Sequence, residues 1–233
     1  MIDFEYKIIK RPRRKTASIS VKPDCSVRVL VPSTLPEQKI VELVQRKRRW
    51  IQGKISQFKE IQGNQREKEY VSGESFTYLG RNYRLKIVSD GGSCDVKLMN
   101  GRFYVYVPSG VPQTIQNQLV VKELSRWYRE HAVVRLKQKT KRYADQMNVC
   151  PVSVDIKDYK SRWGGCHTDG RIFYNWKIII APHSIVDYVV VHELCHLVHD
   201  DHSKKFWKLL GSVLPDWMER KEWLKVNGSG LRV

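Results

Sequence analysis

Ile185-Val-Asp-Tyr-Val-Val-Val-His-Glu-Leu-Cys-His196 sets two histidines four residues apart at the end of a largely apolar run. On a helix, residues i and i+4 lie about 40° apart around the axis and about 6 Å apart along it. His192 and His196 can therefore turn two imidazole nitrogens toward one metal ion. Glu193 sits beside that face, where it can take a proton from metal-bound water. The apolar run predicts a buried helix, and Pro182 suits its first turn.

A catalytic zinc needs a third protein ligand and an open position. His199 shares the angular face of His192, but seven residues of rise, about 10 Å, keep it from an ion held by both His192 and His196. His202 reaches the ion only if the helix ends near His199 and the chain turns back. Asp200-Asp201 favour that stop, and Ser203 is a candidate cap for a new helix over Lys204–Leu210. His196 and His202 keep the spacing of H-E-x-x-H-x-x-G-x-x-H, with His199 in the place of the glycine. The bend must therefore differ from that pattern. His202 is the favoured third ligand; Glu219 or Glu222 on the last predicted helix is the alternative.

Upstream, Lys160-Ser-Arg-Trp-Gly-Gly-Cys166 marks a turn or a close backbone approach at Gly164-Gly165. Arg171-Ile-Phe-Tyr-Asn-Trp-Lys-Ile-Ile-Ile180 predicts a strand whose edge could align an extended peptide. Arg162, Tyr174 and Asn175 are candidate substrate-binding residues. Arg162, Tyr174 and His183 are candidates for stabilising an oxyanion. Trp163 and Trp176 suit core packing.

The first half alternates strand and helix signals. Ser18–Val21 and Ser26–Val31 read as strands, and Glu37 to about Glu60 reads as one helix. Residues 62–69 read as a linker or an exposed turn. Phe76–Leu79, Tyr83–Val88 and Phe103–Val107 then read as strands, before a long helix over Gln113–Met147. Val31-Pro-Ser33 and Val107-Pro-Ser109 stand in the same relation to strand and helix, and Pro36 and Pro112 keep the same 76-residue offset. This raises an internal duplication of a meander-plus-helix unit as one option. The division predicted is a basic strand-and-helix region over 1–69 and the metal-bearing region over 70–233.

Among 233 residues, 42 are Lys or Arg and 24 are Asp or Glu, a formal net charge of +18. Half of that excess falls in residues 1–60, which hold 15 basic and 6 acidic residues. The balance points to a polyanionic partner. The densest runs make Arg11, Arg13, Arg14, Lys15, Arg46, Lys47, Arg48 and Arg49 candidate nucleic-acid contacts, with Trp50 beside the second run. A further basic stretch, Arg126 to Arg142, lies on the long helix. No stretch approaches 18 apolar residues, which excludes a transmembrane helix candidate. The N-terminus lacks the apolar core and cleavage site of a signal peptide. Five scattered cysteines with no C-x-x-C fit a reducing cytosol rather than a disulfide framework or a thiolate zinc site.

Ser161-Arg-Trp-Gly-Gly-Cys166, Asn175-Trp176, Ala181-Pro182, Asp187-Tyr-Val-Val-Val-His-Glu-Leu-Cys-His-Leu197 and His202-Ser-Lys-Lys-Phe-Trp207 together resemble the YgjP-like family of metal-dependent hydrolases. That family is related to the SprT and WLM zinc proteases. The resemblance implies a zincin-like metallopeptidase domain, with His192, His196 and His202 as zinc ligands and Glu193 as catalytic acid/base. Cys195 stands where the family usually carries a small residue such as Ala. SprT- and WLM-like relatives act on DNA-bound proteins, so proteolysis of nucleic-acid-associated proteins is a natural extension.

The expected fold is α+β, a zincin-like core with a basic N-terminal strand-and-helix region. The expected function is a cytoplasmic peptidase holding one zinc per chain and acting on a protein or peptide, with no membrane partner. The alternative is a non-catalytic, metal-stabilised nucleic-acid-binding module. Glu193 weighs against it, because a structural site needs no base and usually fills four positions.

Overall fold

The computed structural model describes residues 3–22, 24–63, 68–90, 92, 94–159 and 162–233. Residues 64–67 of the predicted linker, and Lys160 and Ser161 of the upstream motif, lie outside them. The chain divides into two compact units, Met1–Arg66 and Glu67–Val233.

The first unit runs β1 (Tyr6–Arg11), β2 (Ser18–Val21), β3 (Val27–Pro32), α1 (Glu37–Arg46) and α2 (Arg48–Gly63). Its sheet has the order β1-β3-β2, with β1 parallel and β2 antiparallel to β3. Strand periodicity sends Val27, Val29 and Val31 to one face, where they meet Ile40, Val44 and Ile51 of the helices. The single helix expected from Glu37 breaks at Lys47. There the backbone N–H is shared between Leu43 O and Val44 O at 3.2 Å each, the bifurcated bond of a tightened last turn. No glycine or proline marks this break. The two helices bend to keep Val44 and Ile51 on the same core.

The second unit opens with β4 (Ser75–Tyr78), β5 (Arg81–Ser89), β6 (Asp95–Met99) and β7 (Arg102–Val107), ordered β4-β5-β7-β6. Strands β5-β7-β6 repeat the order and directions of β1-β3-β2. Val29 pairs with Ile8 and Ile19, and Val105, offset by the same 76 residues, pairs with Ile87 and Val96. The β6–β7 hairpin turns at Asn100-Gly101, both at positive φ (50° and 71°), as a two-residue primed turn requires.

The long helix α3 (Gln113–Met147) buries Val120, Leu124, Trp127, Tyr128, Ala132, Leu136, Thr140 and Tyr143, a stripe at helical spacing. It stops at Asn148, which takes the left-handed conformation (φ 53°) and returns its N–H toward Ala144. There follow β8 (Ser153–Lys157), β9 (Gly164–Cys166), β10 (Arg171–Asn175), α4 (His183–Cys195), α5 (Lys204–Val213) and α6 (Trp217–Asn227). The strand expected over Arg171–Ile180 ends at Asn175. The Asn175 side chain accepts from Lys177 N at 3.1 Å and starts a 3₁₀ turn, Trp176–Ile180.

Three contacts hold α4 in place. Lys139 of α3 donates to Asp187, with both side chains 15% exposed. Arg220 of α6 donates to Ser184 O at 2.9 Å. The β4–β5 turn meets its start so closely that a Cβ on Gly80 would stand 2.7 Å from Pro182 Cα. Helix α4 buries residues all round its circumference, the pattern of a central helix.

Candidate active site

The Ile185–Val191 run consists mainly of β-branched residues, which are intrinsically better in strands. Burial on α3 and α6 overrides that preference. Helix α4 ends at Cys195, earlier than the sequence suggested, with His196 at its C-cap in helical geometry. The chain leaves through a tight turn in which the N–H groups of Val198 and His199 both reach Cys195 O, at 3.1 and 2.9 Å. His199 has no positive φ among the described residues, so the bend uses no left-handed residue there. Asp201 Oδ1 then accepts from Ser203 N at 3.2 Å. Ser203 stands at the start of α5 but its side chain makes no cap bond.

This path carries His202 back over α4. One ligand atom each from His192, His196 and His202 lies within 4.8 Å of the others. His202 Nε2 is 3.0 Å from His192 Nε2. His196 Nδ1 is 3.0 Å from His199 O, which orients the ring and leaves Nε2 free to ligate. Burial, then the neighbouring His196 and His202, push the His192 imidazolium down to about 3. The ring is thus a neutral donor at ordinary pH. Glu219 and Glu222 are outside this cluster. His199 contributes its carbonyl, not its ring.

Phe206, fully buried on α5, packs its ring 5.0 Å from His192 and 4.7 Å from both His196 and His202. In the sequence Phe206 carries no chemical signature of its own. Its position, four residues past His202 on the helix predicted over Lys204–Leu210, is the signal the sequence offers. Trp207 stacks on His202 at 5.4 Å and on Trp217 of α6 at 4.4 Å.

Glu193 is 6% exposed. Burial pushes its carboxyl up to about 8, against the opposing Arg162 charge. Gly164 makes room for it: a Cβ there would stand 2.7 Å from Glu193 Oε1. A Cβ on Gly165 would stand 2.2 Å from the Phe173 ring. The paired glycines thus bring β9 onto Glu193 on one side and onto Phe173 on the other. Together with His167, Thr168 and Asp200 they frame a cleft of about 320 Å³ containing the three histidines and Glu193.

Two sequence expectations change here. The strand beside the cleft with a free edge is β9, because β10 lies between β8 and β9. Tyr174 and Asn175 do not reach the cleft. Tyr174 is fully buried, with Thr140 donating to its hydroxyl at 3.1 Å. Asn175 donates to Tyr159 O and Arg162 O at 2.8 and 3.2 Å, tying both residues to the end of β10. Arg162 is exposed and lies over the rings of Tyr159 and Phe173 at 5.3 and 5.7 Å. His183 sits nine residues before His192 on α4, about 13 Å away along the axis. Cys195 is buried, which pushes its thiol up to about 12.

The model of the family described as "YgjP-like, metallopeptidase domain" matches residues 15–227. The chain belongs to the YgjP-like metallopeptidase family. At the level of that family it is a metal-dependent peptidase, which implies protein or peptide substrates. No curated protein matches the chain. A solved structure, the metallopeptidase zymogen of Pyrococcus abyssi abylysin, is 20% identical, with a TM-score of 0.35, covering 37% of this chain and 89% of that one. Among the described residues, no helix of this YgjP-like chain is long and apolar enough to cross a membrane.

Of the candidate nucleic-acid contacts, Arg11, Arg13, Lys15, Arg46, Lys47 and Arg49 are exposed. Arg14 is engaged with Thr16 O and Ser18 Oγ at 2.6 and 2.7 Å, and Arg48 lies 3.3 Å from Asp3.

Proposed function

We propose that this chain is a zinc peptidase in which His192, His196 and His202 hold the ion and Glu193 is the general base. The observation that carries the reading is the convergence of three imidazole nitrogens beside a buried carboxylate in one cleft. The donor set fits zinc, for which three histidines and an open position make a catalytic site. A zinc ion there supplies Lewis-acid polarisation of a carbonyl and lowers the pKa of water toward 7.

The protein's own residues supply the rest. His199 O and Phe206 fix the ligand rings. Glu193, seated against Gly164, takes the proton of the attacking water and returns it to the leaving amine. The free edge of β9 is placed to pair with an extended substrate backbone. The zincin-like assignment and the duplicated meander belong to the same reading, supported by the histidine–glutamate arrangement and by the repeated strand order. We infer further that the charge of +18 directs the enzyme to proteins on nucleic acid.

The test is Glu193→Gln beside wild type, with zinc measured by elemental mass spectrometry and cleavage followed on denatured protein and peptide mixtures. A peptidase loses turnover by about 100-fold or more while keeping about one zinc per chain. Equal cleavage by both proteins rejects the role of Glu193. Absence of zinc from wild type after reconstitution rejects the site.

A further inference from the structure

In β7, Phe103, Val105 and Val107 are buried, so Arg102, Tyr104 and Tyr106 face the other side of the sheet. The register places Arg84 opposite Arg102, and Lys86 and Lys97 on either side of Tyr104. The four cations are exposed and the two tyrosines half-buried. Lys86 Nζ lies 5.5 Å from the Tyr104 ring and Lys97 Nζ 5.5 Å from the Tyr106 ring. Among the described residues none of these four cations is paired with a carboxylate. Asp95, opposite Tyr106, lies toward Arg126 at 4.0 Å.

Like charges directly opposite on neighbouring strands repel, as Arg84 and Arg102 must. An anion between them relieves that repulsion. Tyr104 and Tyr106 are two residues apart on one strand, so their attachment points are about 7 Å apart. That spacing gives each ring its own base rather than a partner ring. Cations interleaved with aromatic rings on an open sheet face are what unstacked bases and their phosphates require. A duplex keeps its base faces to itself, and a lipid headgroup layer uses the cations but leaves the ring faces without a planar partner.

We propose that this face binds single-stranded nucleic acid, with bases on Tyr104 and Tyr106 and phosphates on Arg84, Lys86, Lys97 and Arg102. The proposal rests on the polyanion part of the reading above and is independent of the peptidase part. It adds a base-stacking surface on the four-stranded sheet to the basic runs of the N-terminal unit.

The experiment is fluorescence anisotropy on the full chain with labelled single-stranded DNA and RNA of about twelve nucleotides, within the usual site size for such platforms. Tyr104→Ala/Tyr106→Ala is expected to weaken binding about tenfold or more, and Tyr104→Phe/Tyr106→Phe by no more than about twofold, because stacking survives. Lys86→Ala/Lys97→Ala is expected to reduce the slope of log K against log salt by about 1.4, roughly 0.7 for each lost phosphate contact on a single strand. Thermal unfolding accompanies each variant. Should the alanine pair not fold, the lysine pair and the phenylalanine pair decide the matter.

If wild type binds no oligonucleotide, this inference and the polyanion reading both fall, and the peptidase reading stands. If wild type binds and the face variants bind equally, this inference alone falls and the contact reverts to the N-terminal runs. Tighter binding to a duplex of the same sequence, or release of the oligonucleotide by phosphatidylserine vesicles at matched charge, also overturns it. So does a phenylalanine pair that binds as poorly as the alanine pair.

Discussion

The Cα of Gly164 lies so close to the Glu193 carboxyl that a single added methyl would meet Oε1 at 2.7 Å and Cγ at 2.8 Å. A side chain on β9 and the carboxylate of α4 thus compete for one space. Gly164→Ala is expected to displace Glu193 while leaving the three histidines in place. Displacing a reacting group by about 1 Å costs on the order of 100-fold in rate. Cleavage assays beside zinc analysis check this: turnover falls and zinc stays. Wild-type turnover in Gly164→Ala counts against Glu193 as the base.

His202 reaches the other two histidines only because the chain turns sharply after Cys195. His202→Ala is expected to lose or greatly weaken the metal, leaving two imidazoles where zinc needs three protein ligands. Elemental analysis after dialysis against a weak chelator reads this directly. In wild type, zinc at about 100 times its dissociation constant is expected to stabilise the fold by about 2.7 kcal/mol. His202→Ala is expected to show little of that gain in thermal unfolding. Full zinc content in the variant moves the third ligand elsewhere.

Phe206 packs its ring against all three ligand rings. Phe206→Ala is expected to cost about 3–5 kcal/mol in denaturant unfolding, the usual range for emptying a buried phenylalanine site. It also frees the ring orientations, so zinc affinity falls although no ligand is removed. A stable variant with unchanged zinc affinity shows the ring to be mere filling.

Asp187 and Lys139 form the ion pair between α4 and α3, largely shielded from water. Asp187→Ala leaves the lysine charge in that setting, and a loss of about 3 kcal/mol is expected. Replacing both by apolar residues of similar volume is expected to cost much less. Urea unfolding of the single and double variants separates these outcomes.

Asp158 lies 2.9 Å from Lys177 and 3.2 Å from Arg129. The hydrogen bond to Lys177 holds its carboxyl below the usual value of 3.8. A depressed folded pKa adds stability above the unfolded value, and that stability fades as pH falls through the folded one. Because the side chain is 44% exposed, the gain at neutral pH is under about 1 kcal/mol. Asp158→Asn is therefore expected to be slightly less stable than wild type at pH 7, with the difference shrinking as pH falls below 3.8 toward the lowered folded value. Urea unfolding at pH 7 and below pH 3.8 checks the sign.

Much of this was readable along the chain. The two V-P-S segments announced strand-to-helix joints, and both occur. Periodicity marked β2, β3, β4, β5 and β7. Strand β1 is hidden because Tyr6-Lys-Ile-Ile-Lys-Arg does not alternate, and in β6 only the Asn100-Gly101 turn that follows marks a hairpin. The Arg171–Ile180 run read as one strand because Asn175, whose cap bond begins the 3₁₀ turn, looks no different in sequence from a strand asparagine.

The sequence by itself determined that two histidines and a glutamate share one helical turn, since a four-residue spacing is local geometry, and that the chain carries a large cationic excess. The apolar run also marked Val189-Val-Val191 as buried helix, and the tertiary structure supplied what buries it, α3 and α6. Only the tertiary structure decided that His202 folds back to His192, and that Gly164 rather than a bulkier residue lies against Glu193. It placed Tyr174 inside and Tyr104 and Tyr106 outside. These depend on contacts between residues far apart in the chain, and one-dimensional spacing carries no information about which distant surfaces will exclude water from one another.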